Sequence, residues 1–451
     1  MTPKDIADRD HRYLWHPFTQ MADWEREAPL VITDARGCML YDDKDNAYLD
    51  GSSSIWVNLH GHRKGRIDRA IRAQLKRAAH TTFLGATNPP AVELAERLVE
   101  ISPTGLERVF YSDNGSTAVE IALKMAYQYW RQRRRDPKPE KTRFMSFRHA
   151  YHGDTVGAVS VGGIALFHET FRDLMFASTQ VPFPYCYRCP VGKSRPSCAM
   201  ECLAPVEEAL KAEADVTAAF VVEPMVQGAS GILTMPDGYL KAVADLCRRY
   251  DVLFIADEVA TGFGRTGRMF ACEHEGVEPD LMCLSKGLTG GYMPLAATLA
   301  GGEIYDAFLG RYDEFRTFFH GHSYTGNPLG CAAALASLEV FDEEDVLARI
   351  QPRIRHFWSL LARNLGDHPN VGEIRGRGLM VGIELVRERD TKAEFPLADQ
   401  VGARVGRAAR EQGVLIRPIG NVVVLVPPLA MTGPQLTRLV TTVRAAIDEV
   451  L

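Results

Sequence analysis

The chain has 451 residues, 46% hydrophobic and 24% charged, the balance of an ordinary globular protein with length enough for two or three domains and a large core. A net charge of −5 offers no whole-protein field for nucleic acid or anionic lipid, and the one basic run, 131–135, reads as the solvated, dipole-favoured end of a helix. The first ten residues are too polar for a secretory signal and no stretch approaches a membrane span, so a cytoplasmic location is expected, which nine cysteines, an odd number, also suit.

In chain order, residues 39–42 and 47–50 look like a hairpin around Lys44, Asp45 and Asn46. Short apolar runs come next at 108–111, 219–222, 252–255 and 280–284, with helical patterns between them, including 116–130 and 239–250. The alternation predicts an α/β doubly wound domain with a mostly parallel sheet over roughly 71–335. Helical stretches at 343–366 and 398–412 then flank strand-like 378–385 and 422–426. This predicts a smaller α+β domain from 336–451, with the arm at 1–70 as its partner. Neither an internal repeat nor a low-complexity tract is visible.

Two of the apolar runs end in chemistry. Residues 253–257 close on Asp257, and twenty-nine positions later Leu284-Ser285-Lys286-Gly287 presents a single lysine. An aspartate that keeps a pyridine nitrogen protonated and a lysine that captures an aldehyde are what pyridoxal 5′-phosphate needs at its two ends. After the run at 108–111, Ser112-Asp-Asn-Gly-Ser-Thr117 opens a helix, so Gly115 and Ser116 would form a phosphate cup from unpaired backbone N–H groups. The plainer reading is that Ser116 or Thr117 only caps the helix. Tyr151, in Tyr151-His152-Gly153, would lie flat on a planar ring, or serve as a loop aromatic, and Val259 would pack on the ring's other side.

Gly262-Phe-Gly-Arg-Thr-Gly267 matches the dinucleotide fingerprint but is rejected, because residues 268–276 make a poor helix and lie far from the first strand–helix unit. Its glycines are expected to let a loop bend near the cofactor while Arg265 projects toward substrate. Cys186, Cys189, Cys198 and Cys202 have spacing that would complete a structural thiolate site, or would sit as free thiols in a surface flap; no other metal site is expected.

With Asp257, Lys286, Gly115-Ser116 and Tyr151-His152-Gly153 in this order, the chain resembles the class III aminotransferases, which are fold type I pyridoxal phosphate enzymes. The resemblance runs over nearly the whole length and includes Asp257-Glu-Val-x-Thr-Gly-Phe-Gly-Arg-Thr-Gly267, Ser285-Lys286-Gly287 and His320-Gly-His-Ser-Tyr-Thr-Gly-Asn-Pro328. It implies a homodimer with shared active sites, in which His322 and Ser323 bind the cofactor phosphate of the neighbouring subunit. It also implies a ping-pong transamination in which Lys286 is both covalent anchor and general acid/base.

Within the class, His16-Pro-Phe-Thr-Gln-Met21, Asp50-Gly-Ser-Ser-Ser-Ile-Trp-Val-Asn-Leu-His-Gly61 and Arg417-Pro418 resemble the diaminononanoate synthases of the biotin pathway. The resemblance implies that Trp56 lines the slot for a long keto acid, Arg417 pairs with its carboxylate, and Gly321 offers a backbone contact. Without it, Arg417 reads as a surface arginine before a proline. Phe18, Ile55 and Val424 stand where synthases using S-adenosylmethionine tend to carry tyrosine, tryptophan and tyrosine, which points to lysine as donor. Alternatives within the same fold are an ω-amino acid:pyruvate or diamine transaminase, and a mutase, racemase or decarboxylase; a non-catalytic interaction protein would need neither Asp257 nor Lys286.

Overall fold

The computed structural model describes residues 3–194 and 197–451. Its centre is a seven-stranded sheet of β1 (Leu106–Ser112), β2 (Arg143–Phe147), β3 (Ser178–Val181), β4 (Thr217–Val222), β5 (Leu253–Asp257), β6 (Leu281–Leu284) and β7 (Ala296–Gly301). They lie in the order β1-β7-β6-β5-β4-β2-β3. All neighbours run parallel except β7, which is antiparallel to both β6 and β1. Every residue of β4, β5 and β6 is buried, as expected for strands covered on both faces, and this is why they read as continuous apolar runs.

Helix α1 (Gly115–Gln132) comes after β1 and lies on the sheet through Ala118, Ala122 and Ala126. Small side chains allow close approach: the Ala118 carbonyl accepts the Thr298 hydroxyl of β7 at 2.8 Å. At the far end the Trp130 indole donates to the Ala218 carbonyl at 2.8 Å, which fixes the helix over β4. The run expected at 108–111 is therefore β1, and those at 219–222, 252–255 and 280–284 are β4, β5 and β6. Strands β2, β3 and β7 had no comparable signal, β7 because Ala-Ala-Thr-Leu-Ala-Gly has little strand propensity.

The N-terminal hairpin forms at Met39–Asp42 and Ala47–Asp50. Val414–Leu415 adds to it in parallel, so the two ends of the chain share one sheet. A second antiparallel sheet joins Val371–Arg377, Met380–Leu385 and Val422–Leu425. The helix expected at 343–366 is Val346–Leu365; a break at Asp345, with φ of 45°, separates it from Pro328–Glu343, whose start is capped by the Asn327 side chain.

The most unusual backbone lies between the N-terminal sheet and the central one. Ser53, Ser54, Ile55 and Trp56 have φ of 49°, 47°, 66° and 67°. Four successive L-residues in left-handed conformation cost roughly 1–2 kcal/mol each, so the surroundings must hold this turn in place. They do so with hydrogen bonds: Ser53 Oγ donates to the Val426 carbonyl at 2.6 Å in the interior, and Ser54 Oγ donates to Asp50 Oδ2 at 2.8 Å nearer the surface.

Candidate active site

The parallel strands bring the two chemical residues to one edge. Asp257, the last residue of β5, is in register with Cys283 of β6, and Lys286 emerges three residues later from that same carboxyl edge, where open α/β sheets place their ligands. Both residues line a cavity of about 450 Å³ that also takes in Gly115, Ser116, Tyr151 and Trp56.

Asp257 is 4% exposed. Its Oδ1 accepts the Val259 N–H at 3.1 Å, and its Oδ2 accepts the His152 Nδ1–H at 2.7 Å. Because the carboxylate is the acceptor, it sets the imidazole tautomer. The buried histidine thus orients the aspartate and leaves it an oxygen edge facing the cavity.

Lys286 has φ of 39°, a conformation that a non-glycine residue holds only where its surroundings dictate it. Its Nζ lies 4.8 Å from the centroid of the Trp56 ring. Removal from water holds the amine below the usual lysine range; Asp257 and Glu223 oppose that shift and Arg265 adds to it. A lysine biased toward the neutral amine is a competent nucleophile for an aldehyde.

The cup at the start of α1 forms without using its own donors. Asn114 caps the helix: its side chain accepts the Thr117 N–H at 3.1 Å, while the Thr117 hydroxyl accepts the Asn114 N–H. This is a capping box, and it leaves the Gly115 and Ser116 N–H groups at the positive end of the helix, directed at the cavity. Side chains are excluded here: a Cβ on Gly115 would fall 2.6 Å from Val259 Cγ1, and one on Gly153 would fall 2.0 Å from Ser116 Oγ. Tyr151 is positioned at both ends, its N–H donating to Glu223 Oε1 at 3.0 Å and its hydroxyl to Asp154 Oδ2 at 2.6 Å. Glu223 also accepts the Gly228 N–H at 2.9 Å, and burial pushes its pKa up to about 7.

Buried carboxylate, adjacent lysine, flat aromatic and anion cup together match the ring nitrogen, aldehyde, ring face and phosphate of pyridoxal phosphate. Residues 20–447 match the family model of the class III aminotransferases. The chain is a class III aminotransferase. It is 53% identical over 446 residues to the adenosylmethionine-8-amino-7-oxononanoate aminotransferase of Geobacter sulfurreducens, covering 99% of this chain and 98% of that one. The protein of the same description from Staphylococcus aureus is 46% identical, again covering 99% and 98%. Among solved structures, that of the Methanocaldococcus jannaschii adenosylmethionine-8-amino-7-oxononanoate aminotransferase superposes with a TM-score of 0.94 at 44% identity, over 99% of both chains. An (S)-enantioselective ω-transaminase from Thermomicrobium roseum superposes equally well, at 34% identity over 100% of this chain and 99% of that one.

The remaining expected site residues of the aminotransferase fall in different places. Trp56 lines the cavity on the left-handed turn, beside Gly228, whose Cβ position lies 2.7 Å from the indole. Phe18 is exposed and touches the site at one remove: its ring is 5.3 Å from Phe167, which is 6.3 Å from Tyr151. Arg417 and Gly321 are exposed and outside the cavity wall of the single chain, as is Ser323. His322 is tied to its own chain, its Nδ1 lying 2.6 Å from Asp113 Oδ2 beside the cup.

Arg265 does not project toward substrate. It is 1% exposed and donates to Ser53 Oγ at 3.1 Å, the Pro427 carbonyl at 3.0 Å and the Asn58 carbonyl at 3.0 Å. The Gly262–Gly267 loop folds under the left-handed turn, so the guanidinium finds backbone oxygens before it reaches the cavity. Its role is to clamp the segment that carries Trp56.

All four cysteines of the 186–202 excursion line one small surface cavity, and none of them forms a disulfide. Burial, then its three neighbours, push the Cys202 thiol up to about 11. Among the described residues no group of three or more histidine, cysteine or acidic side chains is arranged to hold a metal ion. Among the described residues, no helix is long and apolar enough to cross a membrane.

Sequence alone assigned no role to His152 or Glu223. Glu223 carried the same signal that singled out Asp257, a carboxylate directly after a buried apolar strand, here β4. His152 stood beside Tyr151 in the same motif, but its partner is 105 positions away and only the sheet brings them together.

Proposed function

We propose that this aminotransferase transfers an amino group to the ketone of 8-amino-7-oxononanoate, giving 7,8-diaminononanoate for biotin biosynthesis, with pyridoxal 5′-phosphate as cofactor and S-adenosylmethionine as donor. The observation that carries it is identity of 46–54% over nearly the full length to six proteins named for that acceptor and donor. Backbone similarity does not separate this from an ω-transaminase, since both superpose at 0.94, but identity does, at 44% against 34%.

The cofactor, when bound, supplies an electron sink for the carbon that loses its proton. Asp257, oriented by His152, would keep a proton on the ring nitrogen. Gly115 and Ser116 would hold the phosphate, and Tyr151 and Val259 would fix the ring plane. Lys286 Nζ would hold the aldehyde and would serve as the general acid/base for the proton that the substrate carbon loses. Trp56, over Lys286, would keep water from that amine and form one wall for the aliphatic chain of the keto acid.

The protein is proposed to work in the cytoplasm as a homodimer, with His322 and Ser323 serving the neighbouring cup and Arg417 receiving the substrate carboxylate. Exposed Tyr312, Phe315 and Phe319 on the segment leading into that loop, and Tyr324 directly after it, support an apolar subunit interface. A second reading, lysine as donor, is favoured by Phe18, which lacks a hydroxyl. The other two departures support it less: Ile55 is half-exposed on the left-handed turn, and Val424 is buried in a sheet strand outside the cavity wall.

The test is a half-reaction followed by absorbance, with each donor in turn, then product analysis with 8-amino-7-oxononanoate. Conversion of the cofactor by S-adenosylmethionine and formation of the diamine are expected. Conversion by lysine alone would transfer the donor assignment, and failure to aminate this keto acid while pyruvate is aminated would overturn the acceptor.

A further inference from the structure

The loop that carries Gly321, His322 and Ser323 is fastened to α1 by a chain of four polar side chains, of which the proposed function uses only His322. Lys124 Nζ lies 3.0 Å from His320 Nδ1, His320 Nε2 lies 3.1 Å from His322 Nε2, and His322 Nδ1 lies 2.6 Å from Asp113 Oδ2. Its two ends set its direction. An ammonium can only donate, so His320 Nδ1 accepts and its proton is on Nε2. His320 Nε2–H therefore donates to His322 Nε2, whose own proton on Nδ1 goes to the Asp113 carboxylate. Each imidazole then has one tautomer, and Asp113 directly precedes the Asn114 cap of the phosphate cup.

We propose that Lys124 and His320 are positioning residues for the phosphate end of the cofactor site, holding the Gly321–Ser323 loop and Asp113 in register with the cup through this directional chain. The proposal rests on the reading that the cavity takes pyridoxal phosphate.

The chain is also sensitive to acid by construction. A proton added to His320 Nδ1 would face the Lys124 ammonium, so the imidazolium breaks that link. The groups around His320 are Lys124 and Glu120 on α1, His322 in its own loop, and the uncharged rings of Phe110 and Phe318; the Phe318 ring is stacked on it at 5.5 Å. Burial, then Lys124 and His322, hold His320 below the usual histidine range against the opposing pull of Glu120. The chain is thus closed at neutral pH, and its contribution is lost as pH falls through the lowered histidine value.

The test compares binding of pyridoxal phosphate and of pyridoxal, which lacks the phosphate, to the full-length apoprotein by absorbance titration, with light scattering at each pH. In the wild type, affinity for pyridoxal phosphate should weaken as pH falls through the lowered His320 value while affinity for pyridoxal should not. At neutral pH, Lys124→Met and His320→Phe should weaken pyridoxal phosphate binding by about tenfold, the loss of one charge-assisted hydrogen bond, and leave pyridoxal binding unchanged. His320→Gln, whose amide can accept from Lys124 and donate to His322, should restore wild-type affinity at neutral pH. Equal losses for both ligands, dissociation of the oligomer in step with the loss, or wild-type affinity in Lys124→Met would each overturn the proposal. A wild-type protein that binds neither ligand at any pH would instead overturn the cofactor reading on which it rests.

Discussion

Replacing Arg265 with methionine keeps most of the side-chain volume and removes the clamp under the left-handed turn. The Asn58 and Pro427 carbonyls and the Ser53 hydroxyl each lose a donor at 3.0–3.1 Å. Leaving a buried acceptor unpaired costs about 1–3 kcal/mol, which would total several kcal/mol for the two carbonyls, while Ser53 Oγ keeps its bond to the Val426 carbonyl. Against this stands the cost of burying the charge itself, visible in the fall of the Arg265 pKa to about 9. The net loss is about 3 kcal/mol. That is comparable with the roughly 4–8 kcal/mol carried by four left-handed residues at 1–2 kcal/mol each, so the turn is expected to relax and take Trp56 out of the cavity wall. Denaturant unfolding should show the lost stability, and steady-state kinetics should show KM for the keto acid raised about tenfold or more with the cofactor still bound. Lys286 also loses a neighbouring positive charge, so its pKa should rise and capture of the aldehyde by the apoprotein should shift to higher pH. An Arg265→Met protein with an unchanged unfolding midpoint and unchanged KM would refute the clamp.

Four further outcomes are expected. Lys286→Ala should abolish turnover and the covalent adduct seen by mass spectrometry after borohydride reduction; transamination at the wild-type rate would remove the lysine from its role. His152→Ala deprives Asp257 of its donor at 2.7 Å, and loss of about 2–3 kcal/mol of charge-assisted hydrogen bonding should lower kcat by roughly 30- to 160-fold, checked by steady-state kinetics. Gly153→Ala places a Cβ 2.0 Å from Ser116 Oγ at a φ of +120° and should weaken cofactor binding, measured by equilibrium dialysis, by displacing the cup. Glu223, raised to about 7, favours the folded state when protonated, so its contribution is complete below its ordinary value of 4.5 and is lost as pH rises through about 7. Glu223→Gln should therefore flatten the pH dependence of the unfolding midpoint across that interval.

The order of chemistry along this chain was legible without coordinates because parallel strands buried on both faces leave continuous apolar runs. A polar residue that ends such a run lies at the sheet's carboxyl edge. Asp257, Lys286 and the Gly115-Ser116 cup were found in this way, and the hairpin around Asp45 was found from its turn residues. Strands β2, β3 and β7 were not, since their residues suit a strand only beside neighbours already in place.

Pairings across long separations were decided by the tertiary structure alone. His152 reaches Asp257 only because β5 lies two strands from β2 in the sheet, and Arg265 became a clamp rather than a substrate contact because its loop folds beneath residues more than two hundred positions earlier. A left-handed run at Ser53–Trp56 contradicts every local preference of those residues, so no local reading could find it. The sequence determined which polar side chains end the strands at the sheet's carboxyl edge; the packed structure decided which of them face the cavity and which hold the others there, because hydrogen-bond partners of buried charges are chosen by proximity in space.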